Sequence, residues 1–126
     1  MIFGIGIDLI AVSRISVLKK TEDPFFSSVF TLKEREQAAS QADPMAYYAG
    51  RFSAKEAVYK SLRMPGDARF SEIEVISNPF GAPEVHLSGT LLEYAKKHNI
   101  KRIHISISHE TDYAISYAIA ETEEFE

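Results

Sequence analysis

Glu56 is an acidic residue in a predicted helix whose neighbours on the same face are aromatic. At about 100° per residue, Tyr48 and Phe52 precede it within one arc of the helix surface. Burying a lone carboxylate is unfavourable unless a cation or hydrogen-bond donors accompany it. Lys60, one turn further on, would supply an ion pair, which is the purely structural interpretation. The alternative is that Glu56 belongs to a functional site.

Asp8 poses the same question in a predicted strand. It shares one strand face with Gly4 and Gly6, where the missing side chains let a helix, another backbone or a ligand come close. Taken alone, Asp8 could simply bond local backbone amides. Paired with Glu56, it would form half of a site for a hard cation. Magnesium takes few protein carboxylates and completes its shell with phosphate oxygens and water.

A third polar group is the segment Ser106-Ile107-Ser108-His109-Glu110. No Gly-x-Ser-x-Gly turn surrounds either serine, which argues against a hydrolase. Because adjacent strand residues face opposite ways, Ser108 and His109 are poorly placed to pair with each other. We expect them to contact phosphate, with a plain turn residue as the alternative for His109. The chain has neither a complete dinucleotide-binding glycine motif nor a Gly-Lys-Ser/Thr phosphate loop.

Hydrophobic periodicity and capping signals predict the elements that position these groups. In the first half they predict a strand over about 2–10 and a short helix over about 13–22 that Ser13 caps. They also predict a helix over about 31–42 that begins with a Thr31–Glu34 capping box, and a long helix over about 44–62 that Asp43-Pro44 opens. In the second half they predict strands near 73–75 and 85–87, a helix over 90–98 and a hairpin of 103–108 with 113–120. We therefore expect one α+β domain over 1–120, with an antiparallel sheet packed against the long helix, and an acidic flexible tail over 121–126.

The composition excludes several classes of function. The chain has 18 acidic and 14 basic residues, for a net charge of −4, which disfavours nucleic acid as a partner. The absence of cysteine excludes disulfides, zinc-thiolate sites and a cysteine nucleophile, and it predicts a reducing cytoplasm. The apolar segment 1–12 lacks the basic region of a signal peptide and is too short to span a membrane.

Taken together, several segments resemble the holo-[acyl-carrier-protein] synthase family, the small trimeric class of phosphopantetheinyl transferases. The resemblance extends from Met1 to about Ala120 and is most specific where Asp8 is combined with Lys55-Glu56. The segments that carry it are 4–10, 13–15, 30–31 with Glu34, 51–57 with Lys60, 73–75, 81–83, 87–89 and 106–109. It implies a phosphopantetheinyl-transferase-like fold.

The resemblance implies a reaction in which the 4'-phosphopantetheine arm of coenzyme A is transferred to a serine of apo acyl carrier protein. Magnesium is required, and adenosine 3',5'-bisphosphate is released. By the match, Asp8 and Glu56 would hold the magnesium, and Lys60 would stabilise charge on the pyrophosphate. Contacts with the nucleotide phosphates are assigned to Arg51, Lys60, Ser108 and His109. The general base stays open between Glu56 and a water molecule on the metal.

The resemblance also implies partners. The carrier protein is acidic in this family and docks on the basic first helix, where Arg14 matches and Lys19 and Lys20 could assist. It implies a homotrimer with nucleotide sites between subunits. An exposed aromatic or small-residue sheet face would suit that interface, although the same face could pack against the long helix.

Two other interpretations remain open at this point. The chain could be a non-catalytic coenzyme A or carrier-protein binding module of the same fold. It could also be a structural trimer in which Glu56 and Lys60 form a buried ion pair.

Three departures from the family pattern bear on the site. Ala11 stands where the family often has glutamate, so any help from that acid to the metal must come from elsewhere. Ser28 and Val29 stand where an arginine usually precedes the Phe-Thr pair. The segment Arg63-Met64-Pro65-Gly66 replaces a glycine-rich turn after the long helix, which leaves affinity and carrier preference open.

Overall fold

A computed structural model describes residues 1–20, 24–67 and 69–123. The strands in these residues are β1 (Ile2–Ala11), β2 (Ile73–Ser77), β3 (Pro83–Leu87), β4 (Ile100–His109) and β5 (Tyr113–Thr122). The helices are α1 (Val12–Lys20), α2 (Phe25–Val29), α3 (Leu32–Ala39), α4 (Pro44–Leu62) and α5 (Gly89–Lys97), and a short 3-10 helix covers Phe70–Glu72. Within this part of the chain, no helix is long and apolar enough to span a membrane.

The strands form two antiparallel sheets. In the first, β5 lies between β1 and β4, and in the second β2 pairs with β3. The long helix α4 packs on the three-stranded sheet and also contacts β2. Buried apolar residues lie on both sides of α4, in one cluster with β2, α5 and β5 and in another with β1, α1 and α2. The predicted α+β class, with an antiparallel sheet against a long helix, is confirmed.

Two glycines of β1 let this strand and α4 approach closely. A Cβ atom at Gly4 would overlap with the carbonyl oxygen of Ser61, and one at Gly6 with the carbonyl oxygen of Ala57. The bare face of β1 is therefore the face that the helix covers. Asp8 lies on this same face, since side chains alternate along a strand, and it is thereby brought next to α4.

The capping signals predict two helix starts correctly. The hydroxyl of Thr31 accepts a hydrogen bond from the Glu34 amide at 3.2 Å, and the Glu34 carboxylate accepts one from the Thr31 amide at 2.8 Å. Asp43 accepts a hydrogen bond from the Ala46 amide at 3.2 Å, and α4 begins at Pro44. The predicted strands β2 and β3 and the hairpin of β4 and β5 are confirmed as well.

Other boundaries were predicted wrongly. Helix α1 begins at Val12, whose amide donates to the carbonyl of Asp112 at 2.8 Å, so Ser13 lies inside the helix and does not cap it. Helix α3 ends earlier than expected, at Ala39, and α2 was missed because five residues are too few to show a helical period. Strand β5 continues to Thr122 and pairs there with β4, so the first two residues of the predicted tail belong to the sheet. Residues 124–126 lie outside the described residues.

Candidate active site

Asp8 and Lys60 form an ion pair between β1 and α4. The Lys60 ammonium lies 3.3 Å from Asp8 Oδ1 and donates a hydrogen bond of 2.9 Å to the carbonyl of Ile7. Among the described residues, no ion pair joins Lys60 to Glu56, so the structural pair considered from the sequence is not formed. Lys60 reaches the strand because Gly6 lets α4 come close; a Cβ there would also touch the Lys60 Cβ.

Glu56 lies partly buried beside this ion pair. Burial raises the pKa of its carboxyl group, and the negative charge of Asp8 raises the pKa further. The positive charges of Lys60 and Arg14 act in the opposite direction without cancelling the shift. Asp8, Glu56, Lys60 and Arg14 therefore lie close enough to interact electrostatically, and we call these four residues the carboxylate site.

The carboxylate site fits a hard divalent cation. Two neighbouring acidic groups repel each other, and a cation that contacts both removes this repulsion. No group of three or more His, Cys, Asp or Glu side chains suited to a metal occurs in the described residues, so a cation here would have two protein carboxylates. Magnesium suits this arrangement, since it retains water and accepts substrate phosphate oxygens as further ligands.

Arg51 lies on a different side of α4 and faces β2. It donates a hydrogen bond of 2.7 Å to the Ser77 hydroxyl, and its guanidinium lies 4.3 Å from the centre of the Tyr47 ring. The residue is 7% exposed, and its Nε has no hydrogen-bond partner among the described residues. A stacked guanidinium with an unused donor is suited to bind an anion. Arg51 and Glu56 are five residues apart, which corresponds to about 140° around a helix, so Arg51 does not belong to the carboxylate site of the same chain.

Ser108 and His109 end β4 at the far edge of the three-stranded sheet. Because β5 lies between them, β1 and β4 are about 10 Å apart. Ser108 pairs with the exposed Ile115, so its side chain lies on the outer face of the sheet, while Asp8 pairs with the buried Ser116 on the inner face. His109 lies on the inner side at the exposed strand end. The fold of one chain therefore does not bring Ser108 together with Asp8.

The outer face of this sheet is apolar and exposed. The residues of this outer apolar face are Ile5, Ile7 and Leu9 of β1 and Tyr113, Ile115 and Tyr117 of β5. Those of β1 are 53–61% exposed. The sequence left open whether this face packs against the long helix; α4 covers the opposite, glycine-bearing face instead. A contiguous exposed patch of large apolar side chains is typical of an interaction surface.

Lys55 directly precedes Glu56 in the chain, but its side chain lies on another side of α4. Its ammonium lies 2.8 Å from the carboxylate of Glu34, and both side chains are 0% exposed. Among the described residues, Glu34 is the fully buried carboxylate, while Glu56 is only partly buried. Sequence reasoning missed this pair because it assigned Glu34 only its local role in the capping box of α3. Burial lowers the pKa of Lys55, and the charge of Glu34 opposes this shift.

Two of the departures from the family pattern lie near opposite ends of β1. Arg63 ends α4 in the left-handed conformation, at φ 54°, and its side chain lies over Gly4. Ala11 lines a cavity of about 430 Å³ between α1 and the turn that joins β4 to β5, with Ser13, Ser16 and Asp112 among its other lining residues. The side chains of Lys19 and Lys20, the predicted helpers of Arg14, lie outside the described part of the chain.

Comparison with known proteins identifies the family. Residues 4–118 match the family model described as the 4'-phosphopantetheinyl transferase superfamily. The chain is 43% identical over 118 residues to the holo-[acyl-carrier-protein] synthase of Caldanaerobacter subterraneus subsp. tengcongensis, and this alignment covers 92% of each protein.

Solved structures give the same result. The fold is similar to the crystal structure of holo-[acyl-carrier-protein] synthase from Neisseria meningitidis, with a TM-score of 0.86, 30% identity and coverage of 97% of this chain and 100% of that chain. It is also similar to a holo-(acyl-carrier-protein) synthase from Bacillus anthracis str. Ames in complex with CoA (3',5'-ADP), with a TM-score of 0.78, 31% identity and coverage of 98% and 99%. The resemblance seen in the motifs is thus confirmed, and the chain belongs to the holo-[acyl-carrier-protein] synthase family of 4'-phosphopantetheinyl transferases.

Proposed function

We propose that this protein transfers the 4'-phosphopantetheine arm of coenzyme A to a serine of an apo acyl carrier protein, with magnesium. The carboxylate site carries the proposal, because Asp8 and Glu56 suit a divalent cation and Lys60 places a cationic group beside them. The proposal is supported by a relative named holo-[acyl-carrier-protein] synthase and by the coenzyme A in one of the similar structures.

In the proposed reaction, the serine oxygen forms a bond to the phosphorus that carries the pantetheine arm, and the phosphoanhydride bond breaks. Adenosine 3',5'-bisphosphate leaves. When bound, magnesium supplies charge neutralisation at the pyrophosphate. Lys60 can turn toward the leaving group, since its side chain is 49% exposed and its polar contacts among the described residues are with β1. We assign the serine proton to the carboxylate of Glu56, the acidic group that α4 contributes to the carboxylate site.

The nucleotide end of coenzyme A requires a second subunit in this proposal. Ser108 lies on the opposite sheet face from Asp8, and Arg51 faces β2, so one subunit offers these groups in different places. A homotrimer that buries the outer apolar face would remove large apolar side chains from water. We propose that Arg51, Ser108 and His109 of one subunit meet the carboxylate site of the next.

The carrier protein is proposed to dock on α1. Arg14 is exposed there and close enough to lower the pKa of Glu56. A cationic residue beside the site would steer an acidic carrier toward it, and this contribution weakens with salt. We place the reaction in the cytoplasm because the chain has no cysteine, which is typical of proteins in a reducing compartment.

Intact-mass spectrometry tests the proposed transfer. Apo carrier protein, coenzyme A, magnesium and this protein are incubated together, and we expect the carrier to gain the mass of one phosphopantetheine group. Chelation of magnesium with EDTA should abolish the gain. If none of several carriers gains mass, the proposed function is wrong. Coenzyme A binding in calorimetry without any mass gain would identify the alternative, a non-catalytic binding module.

A further inference from the structure

We propose that Lys55 is a positioning residue, which fixes the orientation of Glu56 through its buried ion pair with Glu34. The inference rests on the proposed function, in which Glu56 serves the transfer. Lys55 itself is fully buried on another side of α4 and does not face the carboxylate site.

The ammonium of Lys55 uses all three of its N–H donors inside the protein. It contacts the Glu34 carboxylate at 2.8 Å and the carbonyl of Phe70 at 2.9 Å, and it donates a further hydrogen bond to the carbonyl of Ile73. The last two acceptors are backbone atoms of the 3-10 helix and of β2, which lie beside α4. The side chain of Lys55 is therefore attached to groups that cannot rotate away.

Glu34 is held just as firmly. Its Oε1 accepts a hydrogen bond from the Thr31 amide and its Oε2 one from the Val75 amide, each at 2.8 Å. The pair thus links the beginning of α3 and the middle of α4 to the backbone of β2. A buried pair whose polar atoms are all bonded has a narrow range of allowed geometries, because each deviation leaves a polar group unpaired.

The neighbouring positions of Lys55 and Glu56 transmit this constraint. Adjacent residues point about 100° apart on a helix, so an α4 whose Lys55 points toward β2 directs Glu56 toward β1 and Asp8. The close approach at Gly4 and Gly6 holds α4 against β1, and the Lys55–Glu34 pair restrains the helix on another side.

Other polar contacts also restrain α4, and one of them lies on the side of β5. The hydroxyls of Ser53 and Ser116 lie 2.5 Å apart, and both residues are buried. Lys55 forms the only buried ion pair of α4 among the described residues, since Lys60 is half exposed and the buried Arg51 bonds the Ser77 hydroxyl, which carries no charge. Stability alone does not require such a pair, because apolar replacements of buried ion pairs are often neutral or stabilising.

The experiment compares the complete protein with four variants. Lys55→Met removes the ammonium, and Glu34→Gln with Lys55→Met removes both charges, so that no buried charge lacks a partner. Thr31→Val keeps the pair and removes the hydroxyl that caps α3 and also bonds the Glu74 carboxylate. Leu91→Ala, a cavity in the core at α5, is the control for a general loss of stability.

Two quantities are measured well below each melting temperature: the kcat of transfer at saturating substrates, and the affinity for Mn2+ by electron paramagnetic resonance with adenosine 3',5'-bisphosphate present. We expect Lys55→Met and the double variant to lose about 10- to 100-fold in one or both, as is typical when a group that orients a metal ligand is removed. Thr31→Val should show a smaller loss of the same kind. Leu91→Ala should keep both values despite a lower melting temperature.

The outcomes separate positioning from mere stabilisation. If the double variant and Thr31→Val keep the wild-type kcat and Mn2+ affinity, the pair is only structural and the inference is wrong. If Lys55→Met does not fold, the other two variants still decide the matter. A wild-type protein without transfer activity refutes the proposed function instead, whereas an active wild type with an equally active double variant refutes only the positioning role.

Discussion

Lys60 Nζ lies 3.3 Å from Asp8 Oδ1, although Glu56 precedes Lys60 by one turn on the same helix. Glu-Lys pairs at this helical spacing contribute only about 0.2–0.5 kcal/mol, so a competing partner easily displaces them. Here the competing partner is the strand, since Lys60 also bonds the carbonyl of Ile7. Glu56 is left without an ion pair of its own among the described residues, beside a second carboxylate, which is the arrangement that a cation would complete.

Replacing Glu56 by glutamine should abolish transfer without loss of stability. We expect the rate to fall by at least about 100-fold, as when one preorganised charge-stabilising group is removed. The melting temperature should stay the same or rise, because the amide is not repelled by Asp8. Mass spectrometry and circular dichroism check the two effects, with the exposed Glu36→Gln as the control. A wild-type rate in Glu56→Gln would remove Glu56 from the proposed mechanism.

Replacing Gly6 by alanine should both destabilise the protein and impair the carboxylate site. The added Cβ meets the carbonyl of Ala57, a backbone atom that can move only with α4, so we expect a loss of about 1–3 kcal/mol in the free energy of unfolding. Gly50→Ala is the matched control, since its Cβ would meet only a methyl group of Ile107 at 3.1 Å. Urea denaturation and transfer rates compare the two; equal effects would contradict the proposed role of the close approach.

Placing a charge on the outer apolar face should dissociate the proposed trimer. Ile7→Glu alters a side chain that is 53% exposed in the single chain, so the fold should persist while the assembly separates. Leu32→Glu, at an exposed position on α3, is the control and should not change the assembly. Sedimentation velocity gives the mass in solution. Activity in a monomeric Ile7→Glu variant would show that one subunit suffices for catalysis.

Mixing two inactive variants should restore part of the activity if the site combines residues of two subunits. Glu56→Gln disables the carboxylate site, and His109→Ala disables the proposed nucleotide contact. After the subunits are exchanged, some interfaces combine an intact Glu56 with an intact His109. Transfer rates are compared between the mixture and each variant alone. No recovery after demonstrated subunit exchange would place both residues in the site of one subunit.

Glu72 should make stability depend on acid pH. Its carboxylate accepts hydrogen bonds from the Thr90 hydroxyl at 2.7 Å and the Leu91 amide at 3.0 Å, at the start of α5. These bonds, chiefly that from Thr90, lower the pKa of Glu72. The stabilisation is therefore complete above the usual glutamate pKa of about 4.3 and is lost as the pH falls through the lowered value.

The contribution of Glu72 to stability is expected to be small. Since solvent screens the charge of Glu72, we expect its hydrogen bonds to contribute less than about 1 kcal/mol to the free energy of unfolding. Urea midpoints of the wild type and of Glu72→Gln, measured from neutral pH down to pH about 3, should converge as the pH falls. Parallel pH profiles would show that Glu72 does not stabilise α5 through its charge.

The sequence by itself determined the features that depend on neighbouring residues. The capping box of Thr31 and Glu34, the Asp43-Pro44 start of α4 and the alternation in β1, β4 and β5 are local signals, and the structure confirms them. It also singled out Asp8 and Glu56, because a carboxylate on a bare or aromatic face is a chemical anomaly visible without coordinates.

Only the tertiary structure decided which groups meet. It pairs Lys60 with Asp8, buries Lys55 against Glu34 and turns the apolar side of β1 outward. The physical reason is that such contacts depend on how closely two elements approach, and local periodicity carries no information on that distance. Here the approach of α4 to β1 is set by the glycine face of the strand, while the direction of each α4 side chain depends on partners in distant segments of the chain.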